Sequence, residues 1–184
     1  MKTLFKIALL SAALVPALAL AWSTPDPRHL LPERNDGAAV NRLIGTLHDI
    51  GVVVLSDRVS EDVAALCEGA LADRHGAAAI FDGTPTIVLC AETTGQEEVD
   101  EVVTFKHELM HVVQWCHAGR PDTMAEVGEI GWVLSDFTAE AFLYAMTHYE
   151  RDEVLAEAEA QTFATSTSIL GVAKTLQRYC LGAQ

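Results

Sequence analysis

Three residues in the middle of the chain carry the clearest chemical signal: His107, Glu108 and His111, set in His107-Glu108-Leu109-Met110-His111. Two histidines four positions apart on an α-helix differ by about 40° in rotation and about 6 Å in rise, so their imidazoles leave one face a turn apart. That spacing suits two ligands on one Zn2+. The carboxylate of Glu108, next to the first ligand, is placed to take a proton from a water activated by the metal. The competing reading is a buried helix whose histidines are satisfied by hydrogen bonds. The motif sits mid-helix with Leu109, Met110, Val112 and Val113 around it, a context that favours the metal.

A mononuclear site needs a third protein ligand and an open position. His117 fits the metzincin pattern H-E-x-x-H-x-x-G-x-x-H except at Gln114, where that family has Gly. With Gln114 the helix continues and carries His117 about 15 Å along its axis from His107, too far to share a metal. Glu157 is the favoured ligand. The segment Glu157-Ala158-Glu159-Ala160-Gln161-Thr162-Phe163-Ala164 resembles the E-x-x-A-[DN]-x-F-A helix of minimal gluzincin metallopeptidases, with Gln161 where the family has Asp or Asn. Glu157, Ala160, Gln161 and Ala164 share a helix face whose small residues let two backbones approach. Because 46 residues separate His111 from Glu157, Glu140 is kept as the alternative ligand.

The resemblance spans about 70 residues, from Thr86 to Ala164. It implies a zincin-like fold and a zinc-dependent hydrolase of peptide bonds, with His107, His111 and Glu157 on Zn2+ and Glu108 as catalytic base. It further implies that the strand ahead of the active helix, Thr86–Cys90, is a sheet edge that pairs with an extended peptide. Tyr144, His148 and Tyr149 are candidates for stabilising the transition state. A secreted, non-catalytic zinc-binding or interaction protein that keeps the fold is the alternative function.

The elements that must position these residues follow from periodicity and punctuation. Val40, Leu43, Ile44 and Leu47 recur at helical spacing up to Gly51, and Val52–Leu55 reads as a short buried strand. Ser60 and Asp62 open a second helix running to Gly76. Ala77–Phe81 and Thr86–Cys90 are predicted strands joined through Asp82-Gly83-Thr84-Pro85. The long helix is predicted from about Gln96 to Ala118, with Thr94 and Glu97 as a capping box and Gly119 and Pro121 just past its end. Helices over Val133–Tyr149, Glu153–Thr165 and Ser168–Leu181 complete the chain. The class is α+β, a small three- to four-stranded sheet packed on the active-site helix with a helical C-terminal part.

The chain has 184 residues, 12 Lys+Arg against 26 Asp+Glu and a net charge of -14, which argues against a nucleic-acid surface. Its hydrophobic content of 50% is concentrated at the start. Lys2 and Lys6, the apolar run Ile7–Leu20 and Ala19-Leu20-Ala21 read as a signal peptide over residues 1–21, too short and too Pro-interrupted for a stable membrane span. An irregular leader, 22–37, holds Pro25, Pro27 and Pro32, and one domain occupies 38–184. Export to the periplasm or the cell exterior makes disulfides the expected state of the four cysteines. Three pairings are possible; Cys67–Cys90 and Cys116–Cys180 are favoured, since they close a local helix–strand unit and tie the last helix to the middle of the chain. The spacings contain no C-x2-C knuckle, so a thiolate zinc site is disfavoured.

Overall fold

A computed structural model describes residues 37–72, 74–95, 98–122, 137–151 and 153–182, with backbone alone at 98–100. The signal peptide, nearly all of the leader, the capping box at Glu97 and the first part of the helix expected from Val133 lie outside them.

Helix α1, Gly37–Ile50, buries Ala39, Leu43, Thr46 and Leu47, the i, i+4, i+7, i+8 stripe of an amphipathic helix. Gly51, at φ 81°, ends it. The Val52 N–H returns to the Leu47 carbonyl at 2.9 Å and the Gly51 N–H to that of His48 at 3.1 Å, the paired bonds of a Schellman stop. Strand β1, Val53–Ser56, follows at once. Helix α2 covers Glu61–Glu68, its first turn capped by the Ser60 hydroxyl, which accepts from the Val63 N–H at 3.4 Å.

The helix expected to run to Gly76 therefore stops eight residues earlier. Gly69 follows it, and the Leu71 N–H bonds back to Leu66 and the Arg74 N–H to Leu71 in a turn that leads into β2, Gly76–Phe81. Asp82 and Gly83, at φ 48° and 75°, make a two-residue reversal into β3, Thr84–Leu89. Positive φ at both central positions matches the right-handed twist of the flanking strands.

The sheet has the order β1-β3-β2. β1 runs parallel to β3 in the register Val53↔Thr86 to Ser56↔Leu89, and β2 runs antiparallel from Gly76↔Leu89 to Phe81↔Thr84. Pro85 precedes the first β1 pair, so its missing N–H falls where β3 has one neighbour.

This order corrects one expectation. β3, which contains most of Thr86–Cys90, is the central strand and not an edge, because the tight Asp82-Gly83 turn folds β2 along one side while the crossover through α2 brings β1 to the other. Its apolar run, buried on both faces, agrees with that position. Val54, Ile87 and Leu89 face the main core of α1 and the later helices. Leu55 and Val88 point the other way, into a smaller core with Val63, Leu66, Cys67 and Leu71.

The remaining elements are helices: α3, Glu98–His117; α4, Ala139–His148; α5, Val154–Ser166; and α6, Ile169–Cys180. With three strands and six helices among the described residues, the fold is α+β. Gln114 does let α3 continue to His117. Its end repeats the Schellman stop of α1, with the Gly119 N–H on Cys116 and the Arg120 N–H on Trp115. Thr138 and Ser168 cap α4 and α6 through their hydroxyls.

α3 is the spine of the domain. Phe105, Leu109, Met110, Val112 and Val113 are all buried in the main core, where α5 contributes Ala160 and Phe163 and α6 contributes Ile169, Val172, Ala173 and Leu176. Both favoured disulfides are present, Cys67–Cys90 and Cys116–Cys180, with Cα–Cα distances of 5.5 and 5.0 Å. No helix among the described residues is long and apolar enough to cross a membrane.

Candidate metal centre

The α3–α5 contact builds the centre. α5 carries Ala160 and Ala164, both fully buried, on the same side as Glu157, and these short side chains let its backbone lie close to α3. Glu157, one turn into α5, then reaches both histidines. Its Oε2 lies 3.0 Å from His107 Nε2 and its Oε1 lies 3.5 Å from His111 Nε2. The two Nε2 atoms are 3.2 Å apart. The side chains of the three are 11%, 12% and 15% exposed, sunk below the surface yet open to it.

These separations can be set against a coordination geometry. Three donors of a tetrahedral site, each about 2.0–2.1 Å from zinc, lie about 3.3 Å from one another. One ligand atom from each of His107, His111 and Glu157 falls within 4.8 Å of the others; the two Nε2 atoms are 3.2 Å apart, and the Glu157 oxygen nearest each histidine, Oε2 for His107 and Oε1 for His111, lies at 3.0 and 3.5 Å, near the tetrahedral value. Two imidazoles and one carboxylate are a borderline donor set of the kind zinc takes. The group fits a metal ion.

Charge and hydrogen bonding link the three side chains. Burial pulls the His111 imidazole down, but the Glu157 charge and hydrogen bond, helped by Glu108 and Gln114, outweigh it and push His111 up to about 9. Burial raises Glu157, yet the facing imidazoles more than reverse this and hold its carboxyl well below the usual range. Glu108 moves the other way. Its 6% exposure is a desolvation cost that the neighbouring histidines only partly offset, so its carboxyl is raised, as suits a proton acceptor.

Glu108 faces β2. A Cβ added at Gly76 would come within 2.8 Å of Thr104 Cγ2 and 3.1 Å of Glu108 Oε1, so only glycine lets the start of this strand lie against the carboxylate. Arg74 adds a positive charge within electrostatic reach of Glu108. Among the three candidate stabilisers, Tyr149 feels the site: burial first, and then the charge of Glu157, raise its hydroxyl above the usual phenol value and keep it a donor. Tyr144 and His148 stack on each other at 4.2 Å on the exposed face of α4.

The alternative ligand, Glu140, and the rejected candidate, His117, are elsewhere. Glu140 sits exposed in the first turn of α4 and is not in the metal-capable group. His117 packs edge-on against Tyr179 at the far end of α3. Sequence reasoning missed Gln114, Glu159 and Gly76. His111 Nδ1 lies 2.8 Å from Gln114 Oε1, and Gln114 Nε2 donates to the Ala156 carbonyl at 3.0 Å and to Glu159 Oε2 at 2.7 Å. The available signal was an acid two positions after a candidate ligand: Glu157 and Glu159 leave an α-helix about 200° apart, so one of them has a separate task.

Comparison with protein-family profiles, curated proteins and solved structures finds no significant match for the chain.

Proposed function

We propose that the chain is an exported zinc-dependent metallopeptidase of the gluzincin type with a zincin-like fold. The observation that carries this reading is the convergence of His107, His111 and Glu157, with one potential ligand atom of each within 4.8 Å of the others and the buried carboxylate of Glu108 beside them.

His107 Nε2, His111 Nε2 and one Glu157 oxygen would hold the metal. Bound zinc supplies Lewis acidity, polarising a carbonyl and lowering the pKa of water to about 7. Glu108 accepts the proton of the attacking water as its oxygen bonds to the carbonyl carbon. It then returns that proton to the amine nitrogen as the C–N bond breaks. Tyr149 donates its hydroxyl hydrogen to the developing oxyanion. A peptide substrate adds as a strand to β2, whose outer edge has no strand partner among the described residues and whose first residue, Gly76, touches Glu108. Two disulfides and an apolar N-terminal run support export.

Metal content tests the assignment. Purified chain, lacking residues 1–21, takes up about one zinc per molecule, and His107→Ala removes it; a wild type free of metal whose stability is indifferent to chelation overturns the reading. Glu108→Gln separates a catalyst from a binding module. In a catalyst it retains zinc and loses about 100- to 10,000-fold in peptide hydrolysis.

A further inference from the structure

We infer that Gln114 and Glu159 are positioning residues that lock His111 in a single tautomer and so decide which of its nitrogens can take a metal. This rests on the proposed zinc site and adds residues that its ligand set does not include. Gln114 is 2% exposed and Glu159 1%, so neither exchanges its hydrogen bonds freely with water.

The direction of each bond follows from the chemistry of the partners. Two pure acceptors, the Ala156 carbonyl and the Glu159 carboxylate, stand 3.0 and 2.7 Å from Gln114 Nε2. An amide turned the other way would set its oxygen against both, losing two hydrogen bonds and adding two repulsive contacts in a buried setting. The Gln114 oxygen must therefore face His111. Nδ1 of His111, 2.8 Å from it, must carry the proton and donate it. In the neutral imidazole that leaves the Nε2 lone pair directed at His107 Nε2 and Glu157, where the metal-capable atoms converge.

The carboxylate and the ligand come from one element. Glu157 and Glu159 both lie on α5, so its docking against α3 delivers a ligand and fixes the tautomer of another in the same step. The Glu159 carboxylate orients and polarises the Gln114 amide, whose oxygen in turn bonds the imidazole, so the carboxylate acts on the ligand histidine through one intervening group. Gln161, in the motif position of the usual Asp or Asn, is not required for this.

Histidine-selective 15N–1H spectra read the lock without activity. In the metal-free chain at about pH 10.5, where the imidazole is neutral, His111 shows a proton on Nδ1 and none on Nε2. Glu159→Gln, which can offer Gln114 an NH2 in place of an acceptor, mixes the two tautomers. Gln114→Leu, assayed at a temperature where the metal-free variant is folded, weakens zinc binding about 10- to 100-fold in competition with a chromophoric chelator. A wild-type His111 protonated on Nε2, or Gln114→Leu with unchanged zinc affinity, overturns the inference. Should the leucine variant fail to fold, the wild-type spectrum alone decides. A chain with the Nδ1–H tautomer that takes up no zinc defeats the metallopeptidase reading and leaves the lock standing.

Discussion

Residue by residue, the centre is a set of buried charges that satisfy one another, and its stability should depend on pH in a definite direction. His111 is raised from its ordinary 6.5 to about 9, so its contribution in the metal-free chain is complete below 6.5 and fades as pH rises through about 9. Glu157 is lowered from 4.5, so its contribution is complete above 4.5 and is lost as pH falls below that value. Thermal scans of chelated protein should therefore give a maximum between roughly pH 4.5 and 6.5, the window in which the imidazole is protonated and the carboxylate ionised. Zinc loading at neutral pH should release protons, measurable with an indicator dye in weak buffer. Gly76→Ala is the sharpest steric probe: its Cβ displaces Thr104 or Glu108, lowering turnover about tenfold or more with zinc content unchanged.

At the scale of elements, the α3–α5 interface decides whether the three donors meet. Ala160 is wholly buried there, and Ala160→Leu overfills a packed core at a cost of about 1–3 kcal/mol. Because the added bulk also spreads the helices, zinc affinity should fall with the melting temperature; chemical denaturation and metal competition on one variant check both. Much of this level was legible in the sequence. Histidine spacing set the face of α3, the alanines of α5 marked a close helix contact, and Gly51, Gly119, Ser60 and Ser168 fixed helix ends. What was not legible depended on partners remote in sequence. The hydrogen bond of Gln114 needs a residue 45 positions away, and the central place of β3 is a property of three strands at once. The C-terminal limit of α2 was missed because Ala70, Leu71 and Ala72 continue a helical composition past Gly69, whereas a bent connection is needed to bring Gly76 against Glu108.

Across the whole molecule, the two disulfides divide the labour. Cys67–Cys90 staples α2 to the end of β3 across the smaller core, and Cys116–Cys180 fastens the last turn of α3 to the last residue of α6. Loops of 23 and 64 residues correspond on chain-entropy grounds to about 3–4 kcal/mol each. Serine substitution of either pair should lower the denaturation midpoint accordingly. The second pair should cost zinc affinity as well, since it clamps the helix bearing both histidines. The fold class was within reach of sequence because three strand signals lay between helices; the choice among three cysteine pairings gained its support from which elements each would join.

The Cys116–Cys180 clamp also imposes an order of events on the life of the chain. Its two cysteines lie 64 residues apart, so the last turn of α3 is fastened only after α6 has been made and an oxidant is present. Under reducing conditions the helix carrying the histidines lacks that anchor, and its proposed metal centre should bind zinc less tightly than in the oxidised chain. Assembly of the proposed centre would thus be timed by oxidation.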